Sequence, residues 1–140
     1  MKNINDSRLY LIIAATALAV GVAIGGLSYY SILFVEPKIE RLLTAGDYRE
    51  AYLMLRDPQI FAGYGNFDAE GFAIKNSLVY FDRCVYYGEQ IDESRRVYLD
   101  NLLDRRKKGS RLGRNTMVFF LALSCVFWGV WFQERRAARP

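Results

Sequence analysis

The sequence predicts an all-α membrane protein: two transmembrane helices flanking a small helical bundle formed by the loop between them. Three observations lead there. Leu9 to Val35 is a run of 27 residues without a charge, and Met117 to Phe132 is a second run of 16. Between them lie short amphipathic stretches, each closed by a glycine and followed by an aspartate. Six of the 19 lysines and arginines crowd into Arg105 to Arg114, directly before the second apolar run. The segments expected are an N-terminal tail at 1–8, a first span at 9–35, a helical domain at 36–115, a second span at 116–132 and a C-terminal tail at 133–140.

The first run would reach about 40 Å as a helix, more than the roughly 30 Å of a hydrocarbon core. Tyr10 lies near one end and Tyr29 and Tyr30 near the other, where aromatic belts meet the two membrane surfaces. A cleaved signal peptide fits less well, because the apolar stretch continues ten residues beyond Gly25, longer than an h-region. The second run would reach about 24 Å, near the lower limit for a span. Asn115 and Thr116 extend it, and Trp128 and Trp131 supply an interfacial anchor.

Ala17, Gly21, Gly25 and Ser28 form a small-residue face on the first run, with Ala15, Ala19 and Ala23 in a second row. Small residues four apart let helix backbones approach closely, and in lipid such packing drives association. The partner would be the second run, a second copy or another subunit. Ala122 and Gly129 share a face on the second run and are expected to meet the first.

In the loop, Pro37 suits a first helical turn and disfavours helix in the residue before it, so the membrane helix should end or kink near Glu36. Ile39, Leu42 and Leu43 form an apolar stripe. Gly46 reads as the stop, Asp47 as the next cap with Glu50 three residues on, and Asp57-Pro58 as the end. The run Gly46, Asp47, Tyr48, Glu50, Ala51 resembles the turn between the two helices of a tetratricopeptide repeat, over about 20 residues. That resemblance implies a local helical hairpin. No second copy follows at the 34-residue offset that repeat stacking requires.

"IFAGYGNFDAEGF", with Gly63, Gly65 and Gly71, matches no phosphate-binding pattern and reads as a structural loop. From Ala69 to Tyr87 the pattern is helical: Ile74, Leu78, Phe81 and Val85 share one face, and Lys75, Asp82 and Arg83 oppose it. Gly88 ends it. A last helix follows with Asp92 as cap and Val97, Tyr98, Leu102 and Leu103 apolar, and Gly109 and Gly113 should loosen the path into the second run. Tyr48, Tyr52, Tyr64, Tyr80, Tyr86, Tyr87 and Tyr98 make the loop rich in a residue that favours interfaces.

Net charge is +4, but Glu36 to Asp104 holds 8 basic and 13 acidic residues, a balance of −5. The surplus is therefore local. Arg105, Arg106, Lys107, Lys108, Arg111 and Arg114, with Lys38 and Arg41, outnumber Lys2, Arg8, Arg135, Arg136 and Arg139 at the termini. Positive flanks stay inside, so the loop is expected in the cytoplasm and the chain in a plasma membrane, the bacterial inner membrane. The six-residue run reads as a membrane-surface and topology anchor, and anionic lipid headgroups are candidate partners. Nucleic acid is not: no aromatic interleaves the run to stack on bases.

The sequence contains no histidine, which removes imidazole-based zinc, haem and triad chemistry. Cys84 and Cys125 lie in different segments, and the carboxylates pair with no nucleophile or base. No catalytic, metal or cofactor site is expected. The function expected is a non-catalytic accessory, assembly or adaptor subunit whose partners are other membrane subunits. The alternative is a self-assembling, holin-like pore, a homo-oligomer sealed along the glycine face.

Overall fold

The computed structural model describes residues 4–56 and 69–138. Every element among them is helical: α1 (Ile4–Tyr30), a π-helical turn (Ser31–Val35), α2 (Glu36–Ala45), α3 (Tyr48–Leu55), α4 (Ala69–Tyr87), a 3₁₀ turn (Glu93–Arg95) and α5 (Arg96–Ala137). Lys2, Asp57-Pro58, Gly63, Tyr64, Gly65 and Arg139 lie outside the described residues. Gly71 lies in the first turn of α4, whose bounds are those read from the sequence, Ala69 to Tyr87. The chain forms two compact units, residues 28–112 and residues 1–27 with 113–140.

The unit of residues 28–112 is the helical domain. Its core joins Ile39 and Leu43 of α2, Ala51 and Tyr52 of α3, Phe81 and Cys84 of α4, Ile91, and Leu99 and Leu103 of α5. Two glycines set its turns. Gly46 takes φ +80° and Gly88 takes φ +69°, conformations that cost glycine little. After α2, the Gly46 N–H donates to the Leu43 carbonyl and the Asp47 N–H to that of Leu42 (3.0 Å); after α4, Gly88 donates to Val85 and Glu89 to Cys84 (2.9 Å). Both are Schellman closures, which satisfy the last carbonyls of a helix. Asp47 then caps α3 by accepting from the Glu50 N–H at 3.3 Å. Because the Asp47 N–H is already engaged by Leu42, α3 has no need of the reciprocal half of a capping box. Asp92 caps the 3₁₀ turn by accepting from the Ser94 N–H at 3.3 Å.

Three expectations are corrected here. Of the end or kink expected near Glu36, the end does not occur: the long helix passes through the π turn, a local departure from α geometry where the Glu36 N–H donates to the Ser31 carbonyl five residues back, and α2 continues with Pro37 in its first turn. Gly109 and Gly113 do not loosen the path before the second apolar run: both are buried inside the 42-residue α5. On α5 the buried row is Leu99 and Leu103, whereas Val97 is 63% exposed.

The other unit pairs the apolar part of α1 with that of α5. Ala14, Ala17, Gly21 and Gly25 of α1 are buried. A Cβ on Gly21 would stand 3.0 Å from the Phe120 Cβ, and one on Gly25 would collide with the Met117 side chain. The Ser124 hydroxyl donates to the Ala14 carbonyl at 2.8 Å, and the Tyr10 and Phe127 rings stack at 6.2 Å. Ala122 and Gly129 do not meet α1; both are exposed. Instead Gly21 admits the backbone of α5 at Met117 to Leu121 and the Phe120 Cβ, and Gly25 admits the Met117 side chain, the close approach that glycines on a helix face permit.

Candidate functional site

The helical domain contains a buried polar cluster at the π turn. Ser31, Glu36, Arg106 and Ser110 are 4%, 7%, 9% and 1% exposed. In an α-helix residues five apart diverge around the axis; the i→i+5 bond of a π turn brings them onto one face. The turn thereby points Ser31 and Glu36 the same way, and the Ser31 hydroxyl donates to Glu36 Oε1 at 3.4 Å. From α5, Arg106 Nε donates to Ser31 Oγ at 3.3 Å and Ser110 Oγ donates to it at 3.1 Å. A second guanidinium nitrogen of Arg106 reaches the Met54 carbonyl at 3.5 Å. Ser31 thus uses the one donor and two acceptor positions a hydroxyl possesses.

This geometry divides the basic run. Arg106 turns inward. Lys107 pairs with Glu40 of α2, and that hydrogen bond holds its ammonium above the ordinary lysine range. Arg105 is half-buried, and Lys108, Arg111 and Arg114 are exposed. A charge count along the chain treats all six alike. The signal that separates them is the pairing of Arg106 with Ser110, four residues on and so on one helical face, together with a serine, Ser31, inside an apolar run where it requires a partner. Sequence reasoning did not single out Ser31, Glu36 or Ser110.

A second polar group ties α3 to α4. The Tyr52 hydroxyl donates to Asp82 Oδ1 at 2.6 Å, and Arg56 stands 3.4 Å from the same oxygen. Burial, and then the bond to the Asp82 carboxylate, pushes the Tyr52 phenol far above its ordinary value. On α4 the hydrogen bond with Cys84 raises the Tyr80 phenol, while Arg95 lies over its ring at 4.6 Å. Where the α2–α3 and α4–α5 turns meet, Gly46 to Arg49 and Gly88 to Glu93 line an open groove of about 700 Å³. Of its four carboxylates, Asp47, Glu89, Asp92 and Glu93, Asp47 and Asp92 serve as helix caps, and the Ser94 N–H holds Asp92 below the usual carboxylate range. No group of histidine, cysteine and carboxylate side chains suited to a metal occurs among the described residues.

Among the aromatics expected at membrane surfaces, Tyr29 and Tyr30 are 41% and 60% exposed and Trp128 is 37% exposed. Trp131 is half-buried, with Arg135 over its ring at 4.7 Å. Ala17 and Ser28 of the small-residue face are both 5% exposed. No protein-family model, no curated protein and no solved structure matches the chain.

Proposed function

We propose that this chain crosses a membrane twice, by α1 and by the second half of α5, and that its helical domain serves a larger membrane complex as a non-catalytic accessory, assembly or adaptor subunit, with the domain on the cytoplasmic side. The two long helices support the membrane part of this reading. They contain 18-residue stretches of mean hydropathy 2.2 and 1.7, of which 28% and 6% is buried. A helix that crosses the core of a water-soluble domain buries its apolar residues; these helices present theirs outward, as lipid-facing helices do.

The observation that carries the adaptor part is the outer face of α4. Val79, Tyr86 and Tyr87 are 70%, 83% and 67% exposed, and the two tyrosine rings meet edge to face at 5.0 Å. Large amphipathic rings held outward favour contact with another protein. A self-assembling pore needs the small-residue face of α1 as a seam between copies, and Met117 and Phe120 already occupy that face.

The test is purification of the full chain in mild detergent, beside a Val79→Ala, Tyr86→Ala, Tyr87→Ala variant. Wild type should bring a defined membrane subunit with it, and the variant should lose about tenfold of it, the effect of about 1.4 kcal/mol at an interface. A wild-type chain that purifies alone, or a variant that keeps the same partner at the same ratio, would refute the adaptor reading.

A further inference from the structure

The headgroup level of the proposed bilayer can be located within the helical domain, and this step rests on the two-span reading above. Ser31 Oγ and Ser110 Oγ lie 3.1 Å apart, so these positions of the π turn and of α5 stand at one height. At about 1.5 Å per residue, Lys108 lies about 3 Å to one side of that height and Arg111 about 1.5 Å to the other. Tyr29, Tyr30, Leu33 and Phe34 fall within about 5 Å of it on the facing strand of helix. They are 41%, 60%, 63% and 64% exposed, and the Tyr30 and Phe34 rings lie 5.6 Å apart. Lys108 and Arg111 are exposed as well.

A band about this thick, carrying cations together with aromatic and aliphatic side chains, matches the headgroup layer, which is about 5–8 Å deep on each side of a bilayer. The charge at this height is one-sided. Glu36 is buried against Ser31, and Glu40 is paired with Lys107. Those two carboxylates are engaged within the fold, and the exposed Asp104 stands four residues before Lys108, about 9 Å from the height of Ser110; Lys108 and Arg111 face outward close to that height. We infer that Lys108 and Arg111 form a site for the phosphate groups of anionic phospholipids, with Arg106 excluded from it by its buried contacts and Lys107 by its pairing with Glu40. Lysine donates to a phosphate oxygen as a point charge and arginine as a planar fork.

The experiment places the full chain in bilayer nanodiscs of phosphatidylcholine that contain a minor share of phosphatidylglycerol. Spin-labelled versions of the two lipids report which one the protein immobilises. Wild type should favour the phosphatidylglycerol label by about fivefold for each cation engaged, and the preference should shrink as salt is raised. Lys108→Gln with Arg111→Gln should abolish it. Lys75→Gln with Arg83→Gln, which removes the same charge from exposed positions on α4, should leave it intact. No preference in wild type, a preference retained by the Lys108/Arg111 variant, or equal loss in the α4 variant overturns the site. A chain that immobilises neither lipid and is washed off membranes by alkaline carbonate overturns the two-span reading and the site together. One that stays inserted without lipid preference overturns the site alone.

Discussion

Ser31 shows how much one small polar residue can organise. Its hydroxyl receives from Arg106 and Ser110 and gives to Glu36, so Ser31→Ala removes the acceptor that two side chains of α5 share. The expected loss is about 1–3 kcal/mol. In a double-mutant cycle with Ser110→Ala the two losses should fall short of additive by about 0.5 kcal/mol or more, measured by chemical unfolding in detergent; strict additivity would show that the hydroxyl pair is not coupled. Tyr52 offers a pH test. Burial and the bond to Asp82 raise its phenol in the folded state above its ordinary value of 10.0, so at alkaline pH the folded chain keeps a proton that the unfolded chain releases. This contribution is complete below pH 10 and is lost as pH rises from there through the folded value. Tyr52→Phe should cost about 1 kcal/mol at pH 8 yet lose less stability than wild type between pH 10 and 11; parallel pH profiles would contradict that. Arg106 marks the limit of sequence reading at this scale. Within a run of six cations, which one turns inward depends on the register that the π turn sets between two segments 75 positions apart.

Among the elements, legibility follows locality. The ends of α2 and α4 were readable because Gly46, Asp47, Gly88 and Asp92 act on neighbours within a few residues. The unbroken course of α5 was not, because two glycines weaken a helix by about 1 kcal/mol each relative to alanine and only tertiary burial of Gly109 and Gly113 reverses the expectation. The face of α1 was readable, but the residues that fill it were not, since shape complementarity of methionine and phenylalanine against glycine has no sequence period. The pairing of α1 with α5 makes a graded prediction. Gly25→Ala meets the flexible Met117 side chain, which can swing aside, and a helix-propensity gain of about 1 kcal/mol should leave stability nearly unchanged. At Gly21 the obstacle is the Phe120 Cβ, 3.0 Å from an added Cβ and fixed to the backbone. Gly21→Ile must part the helices and should cost about 1–2 kcal/mol of their association. Thermal unfolding in detergent would rank the two, and equal losses would show that the close approach at Gly21 is not what holds the pair.

For the molecule as a whole, orientation is the open quantity that charge predicts. With Cys84 and Cys125 replaced by alanine, a cysteine at Glu89 should resist an impermeant thiol reagent in intact cells and react once they are permeabilised, while one at Ala137 should react at once. The opposite pattern would place the helical domain outside. All-α architecture was plain from the two long apolar runs and the short amphipathic stretches between them; the division at residues 28 and 112 was not, because it falls inside helices rather than at turns. The position of α5 in the core also sets an order of events during synthesis. Leu99 and Leu103 complete the packing around Phe81 and Tyr52, so helices α2 to α4 leave the ribosome with an unfilled slot. At about 5–20 residues per second, several seconds pass between emergence of Ser31 and arrival of Arg106 and Ser110. Until then the cleft of α2 to α4 and the acceptor positions of Ser31 lack the side chains that fill them. The segment that ends the wait leads directly into the second apolar run, so closure of the domain and commitment of that run to its environment fall in the same interval of translation.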